Sequence, residues 1–154
     1  MDSTLDLATR VGHTLKAKGL LLATAESCTG GGIAHAITEI AGSSEWFDCG
    51  FVTYSNASKN ELLDISEALI AQHGAVSEEI AGAMAEGAVA NSSSDVAVST
   101  TGIAGPGGAV RASRSAPSAS AGAWATRPIP NAWSSRATAS RCGPRPWNIR
   151  SRAC

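Results

Sequence analysis

A chain of 154 residues with 13 acidic and 12 basic side chains carries a formal net charge of −1. The length suits one domain, and a 44% hydrophobic content is enough to pack a core. No apolar run is long enough to span a bilayer and no leader-like segment opens the chain, so a cytoplasmic protein without a membrane partner is expected. The near-neutral total conceals two compositions. Residues 1–110 hold all 13 acids and only Arg10, Lys16, Lys18 and Lys59 as bases, a net of −9. Residues 111–154 hold eight arginines, no acid and no lysine, a net of +8.

Residues 4–18 carry a helical pattern stopped by Gly19. Residues 19–24 read as a short buried strand, and 30–41 as a helix with Ile33, Ile37 and Ile40 on one face. Between them lies Thr24-Ala25-Glu26-Ser27-Cys28-Thr29-Gly30-Gly31-Gly32. A hydroxyl at such a junction faces free N–H groups and the positive end of a helix dipole. Those groups can hold an oxyanion or a phosphate. Two readings of Ser27 stand at this point: a nucleophile, or, like Thr29, a helix cap. Cys28 is a rival nucleophile, and Glu26 either orients the site or caps the helix.

Residues 50–55 read as a strand running into a helix over 56–63, with Asn56 as its N-cap. Tyr54 is the only tyrosine. A serine hydroxyl is a poor nucleophile until a base takes its proton. Lysine is such a base only when neutral, which at pH 7 needs a fall of about three units from ~10.4, or ~4 kcal/mol. Burial can supply that shift for Lys59, and Tyr54 would relay the proton or hold the pair in line. The plainer alternative is a solvated lysine and a tyrosine packed at a strand end.

Helices over 66–73 and 77–91 follow, the first stopped by Gly74 and the second started by Ser77 with Glu78 and Glu79. A strand over 95–99 leads into Thr100-Thr101-Gly102-Ile103-Ala104-Gly105-Pro106-Gly107-Gly108. A Gly-rich loop exposes backbone N–H groups and lets a ligand approach closely. This one has neither the P-loop ending nor the dinucleotide fingerprint, and by itself it is more often a turn. His13, His35 and His73 read as solvated or capping groups, and Cys28, Cys49, Cys142 and Cys154 lack metal-ligand spacing. Alternating strands and helices indicate an α/β fold, a three-layer α/β/α single domain with helices on both faces of a sheet.

Taken together, residues 5–108 closely resemble the CinA C-terminal domain family, the nicotinamide-nucleotide amidases known as PncC. The resemblance rests on Ala25-Glu26-Ser27-Cys28-Thr29-Gly30-Gly31, Ala41-Gly42-Ser43-Ser44-Glu45-Trp46-Phe47 and Gly50-Phe51-Val52-Thr53-Tyr54-Ser55-Asn56, with Lys59. Gln72-His73-Gly74-Ala75-Val76-Ser77-Glu78 and Thr101-Gly102-Ile103-Ala104-Gly105-Pro106-Gly107-Gly108 complete it. It implies hydrolysis of nicotinamide mononucleotide to nicotinate mononucleotide and ammonia. The family's serine nucleophile maps to Ser27, and its tyrosine and lysine partners map to Tyr54 and Lys59. In the implied mechanism N–H groups near Thr29 and Gly30 stabilise the oxyanion and the 102–108 loop lines the nucleotide pocket. Thr29, Gly30, Gly31, Thr101, Gly102 and Gly105 are thus the expected substrate-binding residues. The implied partner is a small pyridine nucleotide, with no metal, no cofactor and no nucleic acid, and the resemblance points to a homodimer.

The pattern breaks after residue 110. The tail has Ile129 and Ile149 as its only aliphatic residues beyond alanine, but three tryptophans and five prolines, and it shows no helical or strand period. A basic tail with interleaved aromatics suits nucleic acid, and a disordered tail is the plainer reading. A frame error explains more. The family is expected to continue with a Pro-Val-Gly-Thr-Val strand, a Gly-Asp-Arg motif and a closing helix. Back-translating the tail with suitable synonymous codons, and reading from the third base of the Arg111 codon, gives GKPVGTVCFGWG. Further on it gives TQRLVFEGDRESVRAATVEHSLEGL, ending at Cys154. Some positions are independent of codon choice: Trp124-Ala125 must give glycine and Trp147-Asn148 must give glutamate. The expectation is therefore an incomplete amidase domain over 1–110 and an exposed, irregular frameshift product over 111–154. Two functions then compete: the amidase, and an inactive relic that at most binds nucleotide.

Overall fold

The structure, a computed structural model, describes residues 3–103 and 120–127. In chain order it has α1 (Thr4–Lys18), β1 (Leu22–Glu26), α2 (Gly32–Thr38), a 3-10 turn (Ser43–Glu45) and β2 (Phe47–Val52). Then come α3 (Asn56–Leu63), α4 (Glu67–His73), α5 (Glu78–Ala90), β3 (Val96–Gly102) and β4 (Ser120–Thr126). The strands form one mixed sheet in the order β2-β1-β3-β4. β1 pairs parallel with β2 and β3, and β4 pairs antiparallel with β3.

Strand alternation divides the sheet between two cores. Ala23 and Ala25 of β1 and Ala97 of β3 pack with Leu63, Ile80 and Met84 from α3 and α5. Leu22 turns the other way, with Val96 and Val98, toward Leu15 of α1 and Ile37 of α2. The three-layer α/β/α arrangement follows. Every residue of β1 is buried, because a parallel strand with both faces covered has no solvent side.

Caps set the helix ends. Ser3 and Asp6 close a reciprocal capping box on α1, and Gly19 ends it at φ +63°. Ser66 and Ser77 start α4 and α5. The expected span of α3 holds, but its N-cap is Ser55, not Asn56: the Ser58 N–H donates to Ser55 Oγ. The strands drift further from expectation. β1 runs on to Glu26 because its partner β3 runs equally far, with Glu26 opposite Thr100. β3 accordingly takes in Thr100, Thr101 and Gly102, which the sequence assigned to the Gly-rich loop. Residues 104–108 of that loop, Gly105 among them, lie outside the described residues.

Part of the tail also differs from the irregular, exposed expectation. Ser120–Thr126 adds to the sheet edge as β4, from Gly102 opposite Ser120 to Val96 opposite Thr126. Ala125 packs against the α5-side core. The Arg127 guanidinium donates to the carbonyls of Val89, Ser92 and Ser94 beyond and at the end of α5, where the helix dipole favours a cation. An edge strand held by its backbone ladder needs no branched side chains, so composition carried no sign of it. Trp124, opposite Val98, is still 77% exposed.

Candidate active site

The order β2-β1-β3 means that the chain leaves β1 toward one neighbour and returns to the other. Such a switch point opens a crevice at the carboxyl ends of the strands. Ser27 sits there, immediately after β1, its N–H donating to Thr100 O at 3.0 Å. Lys59, in the first turns of α3, reaches back to the same point. Its Nζ lies 3.1 Å from Ser27 Oγ and donates to Thr53 O at 2.8 Å, with Tyr54 O at 3.5 Å. Only 1% of Lys59 is exposed, and no carboxylate among the described residues pairs with it. Burial lowers its pKa, with Cys28 acting in the opposite direction.

Ser27 and Lys59 are thus brought together. Tyr54 meets them through its main-chain carbonyl. Its side chain is 68% exposed, and its hydroxyl makes no hydrogen bond to a described residue.

The loop after Ser27 is wound around a buried carboxylate. Glu26 is fully buried. It accepts from the Thr29 hydroxyl at 2.7 Å and from the N–H groups of Ile33 at 2.9 Å and Ala34 at 2.8 Å. Burial pushes its pKa up, but these hydrogen bonds outweigh it and the net direction is down. The hydroxyls of Thr29 and Thr100 lie 2.8 Å apart. Because the Thr29 proton goes to Glu26, Thr100 is the donor in that pair.

This winding decides which N–H groups are free. Gly30 N–H donates to Ser27 O and Gly32 N–H to Thr29 O. The N–H groups of Cys28, Thr29 and Gly31 donate to no described backbone carbonyl. Gly30 (φ +59°) and Gly31 (φ +96°) adopt the left-handed backbone that this turn requires. On the other face of the sheet, the Thr101 hydroxyl donates to Ala75 O at 2.7 Å.

The CinA C-terminal domain model matches residues 4–116. The chain belongs to that family. Among its relatives, the nicotinamide-nucleotide amidohydrolase PncC of Enterobacter agglomerans is 59% identical over 103 residues, or 67% of this chain and 63% of the relative. The protein of that name from Escherichia coli K12 is 55% identical over 108 residues, or 70% and 66%. The chain therefore spans just under two thirds of the length of these two relatives. Among solved structures, the competence/damage inducible protein CihA of Agrobacterium tumefaciens is similar with a TM-score of 0.69 and 47% identity, covering 72% of this chain and 67% of that one. Within this family fold, a serine hydroxyl and a buried lysine amine lie 3.1 Å apart, beside the main-chain N–H groups of the Ser27–Gly31 turn. Among the described residues, no helix is long and apolar enough to cross a membrane.

Proposed function

We propose that the chain is a serine amidohydrolase of pyridine nucleotides, with nicotinamide mononucleotide as substrate and nicotinate mononucleotide and ammonia as products. The observation that carries this reading is Lys59, buried without an ion-pair partner among the described residues, with Nζ 3.1 Å from Ser27 Oγ. A cation there lacks compensation, so the neutral amine is favoured. With its two N–H groups directed to the carbonyls of Thr53 and Tyr54, the lone pair of the neutral amine faces Ser27. Lys59 takes the hydroxyl proton as Ser27 Oγ attacks the carboxamide carbon. The N–H groups of Cys28, Thr29 and Gly31, which donate to no described backbone carbonyl, stabilise the oxyanion. The intermediate collapses with cleavage of the C–N bond, and the Lys59 ammonium returns its proton to the departing nitrogen. Water, deprotonated by Lys59, then hydrolyses the acyl ester.

Ammonia release from nicotinamide mononucleotide tests the reading. Ser27→Ala and Lys59→Ala should each abolish it while circular dichroism stays unchanged, and Cys28→Ala should keep most of it. A dead Cys28→Ala beside an active Ser27→Ala would reassign the nucleophile.

A second reading, an inactive relic that at most binds nucleotide, has its own observation. An open apolar cleft of about 360 Å³ lies between α1, α2 and β3, lined by Leu7, Val11, Leu22, Ile33, Ile37 and Val98. In this reading residues 111–154 are the out-of-frame product, and the layer that would cover the cleft is not encoded. Absence of ammonia release from the folded chain favours it.

A further inference from the structure

The Ser27–Gly31 loop has no helix or strand of its own to hold it, yet it must place a nucleophile and its oxyanion donors within fractions of an ångström. What holds it is one chain of polar groups anchored on a buried carboxylate. The Thr100 hydroxyl donates to Thr29, Thr29 donates to Glu26, and Glu26 also accepts from Ile33 and Ala34. Glu26 and Thr100 stand side by side in register on β1 and β3. The network therefore ties the loop to two strands at once, on either side of the Ser27 N–H bond to Thr100 O.

We infer that Glu26 and Thr29 are positioning residues for Ser27, fixing the nucleophile and its neighbouring N–H groups without touching substrate. This rests on the reading of Ser27 as a nucleophile. It assigns the Thr29 hydroxyl an internal role rather than a ligand contact, and it gives the buried carboxylate a task besides starting α2. Both carboxylate oxygens are used as acceptors, Oε1 by Ala34 and Oε2 by Ile33 and Thr29. A carboxamide must present an NH2 group to a donor in either orientation, so Glu26→Gln breaks the network at nearly constant shape.

The test uses the full 154-residue chain and a fluorophosphonate, which reports serine nucleophilicity without reference to any amide substrate. Labelling of Ser27 is followed by mass spectrometry, with thermal unfolding run in parallel. Thr29→Val and Glu26→Gln should each slow labelling by about tenfold or more, and Thr29→Ser, which keeps the hydroxyl, should restore it. Equal labelling of Thr29→Val and the unaltered chain overturns the inference, as does failure of Thr29→Ser to recover the rate. An unaltered chain that takes no label at Ser27 also overturns it. If Glu26→Gln does not fold, the Thr29 pair decides. A chain that is labelled in the predicted order but releases no ammonia from nicotinamide mononucleotide refutes the substrate assignment and leaves this inference standing.

Discussion

Lys59, the base in the proposed reaction, also bears on stability through its buried nitrogen. Burial depresses its pKa in the folded state, while the unfolded chain keeps it near ~10.4. Between those two values the unfolded state binds a proton that the native state does not, so stability rises with pH across that window. Below it the native state holds a buried cation, and the penalty is constant. Urea unfolding of the intact chain at a series of pH values should show this rise, and Lys59→Met should flatten it. An unchanged pH slope in Lys59→Met would mean that the buried amine is not the titrating group. The local pattern alone left Ser27 between nucleophile and cap and Lys59 between base and solvated side chain. The family resemblance singled out the pair, and the structure places Lys59 Nζ 3.1 Å from Ser27 Oγ. Tyr54 was less legible: which way a residue points at a strand end depends on where the strand stops. β2 ends at Val52, three residues short of the expected end, and the tyrosine ring is left exposed. Glu26 was seen only as a choice between orienting and capping. Its partners Ile33 and Ala34 lie seven and eight residues on, a separation that no local motif announces.

At the level of elements, α1, α3, α4 and α5 end within a residue of expectation. α2 is shorter than the expected 30–41, α3 is capped by Ser55 rather than Asn56, and the strand ends shift by up to three residues, for a physical reason. A cap is a local event in which one serine hydroxyl meets a backbone N–H three residues on, as at Ser55, Ser66 and Ser77. A strand ends where its partner ends, and β1 follows β3 to Glu26. Packing between helices was equally hidden from composition. The two glycines of α5 look alike in sequence but differ in what surrounds them. A Cβ on Gly87 would stand 2.3 Å from the Leu63 carbonyl oxygen, where α5 crosses the end of α3, whereas one on Gly82 meets nothing within 4 Å. Gly87→Ala should therefore destabilise the chain by about 1–3 kcal/mol through overpacking against backbone. Gly82→Ala should stabilise it by up to ~1 kcal/mol through helix propensity alone. Melting temperatures moving in opposite directions would support this picture of the α3–α5 contact, and a harmless Gly87→Ala would contradict it.

At the scale of the whole molecule, the sheet is covered unevenly. Among the described residues, α5 packs on β3 and β4 from one side, while on the other α1 and α2 lie together with Leu7 exposed at the apolar cleft and Trp124, paired with the cleft-lining Val98, exposed on β4. A sheet of mainly parallel pairs is stable when both faces are buried, and an exposed apolar patch of this kind invites association. The matches to the PncC proteins span just over 100 residues of this chain, and the composition reverses after residue 110. We propose a one-base frame error as the origin of both, since the alternative frame would supply an apolar strand and an amphipathic helical string in place of an arginine-rich one. β4 does not contradict this, because its ladder uses backbone groups that any sequence carries. Inserting one base at the Val110–Arg111 junction should then yield a chain that binds less hydrophobic dye, melts at a higher temperature and releases ammonia faster from nicotinamide mononucleotide. The 154-residue chain should bind dye and self-associate in the same buffers. Resequencing that confirms the present frame, together with a compact, protease-resistant and active 154-residue product, would refute the frame error and assign β4 and Arg127 to the native design.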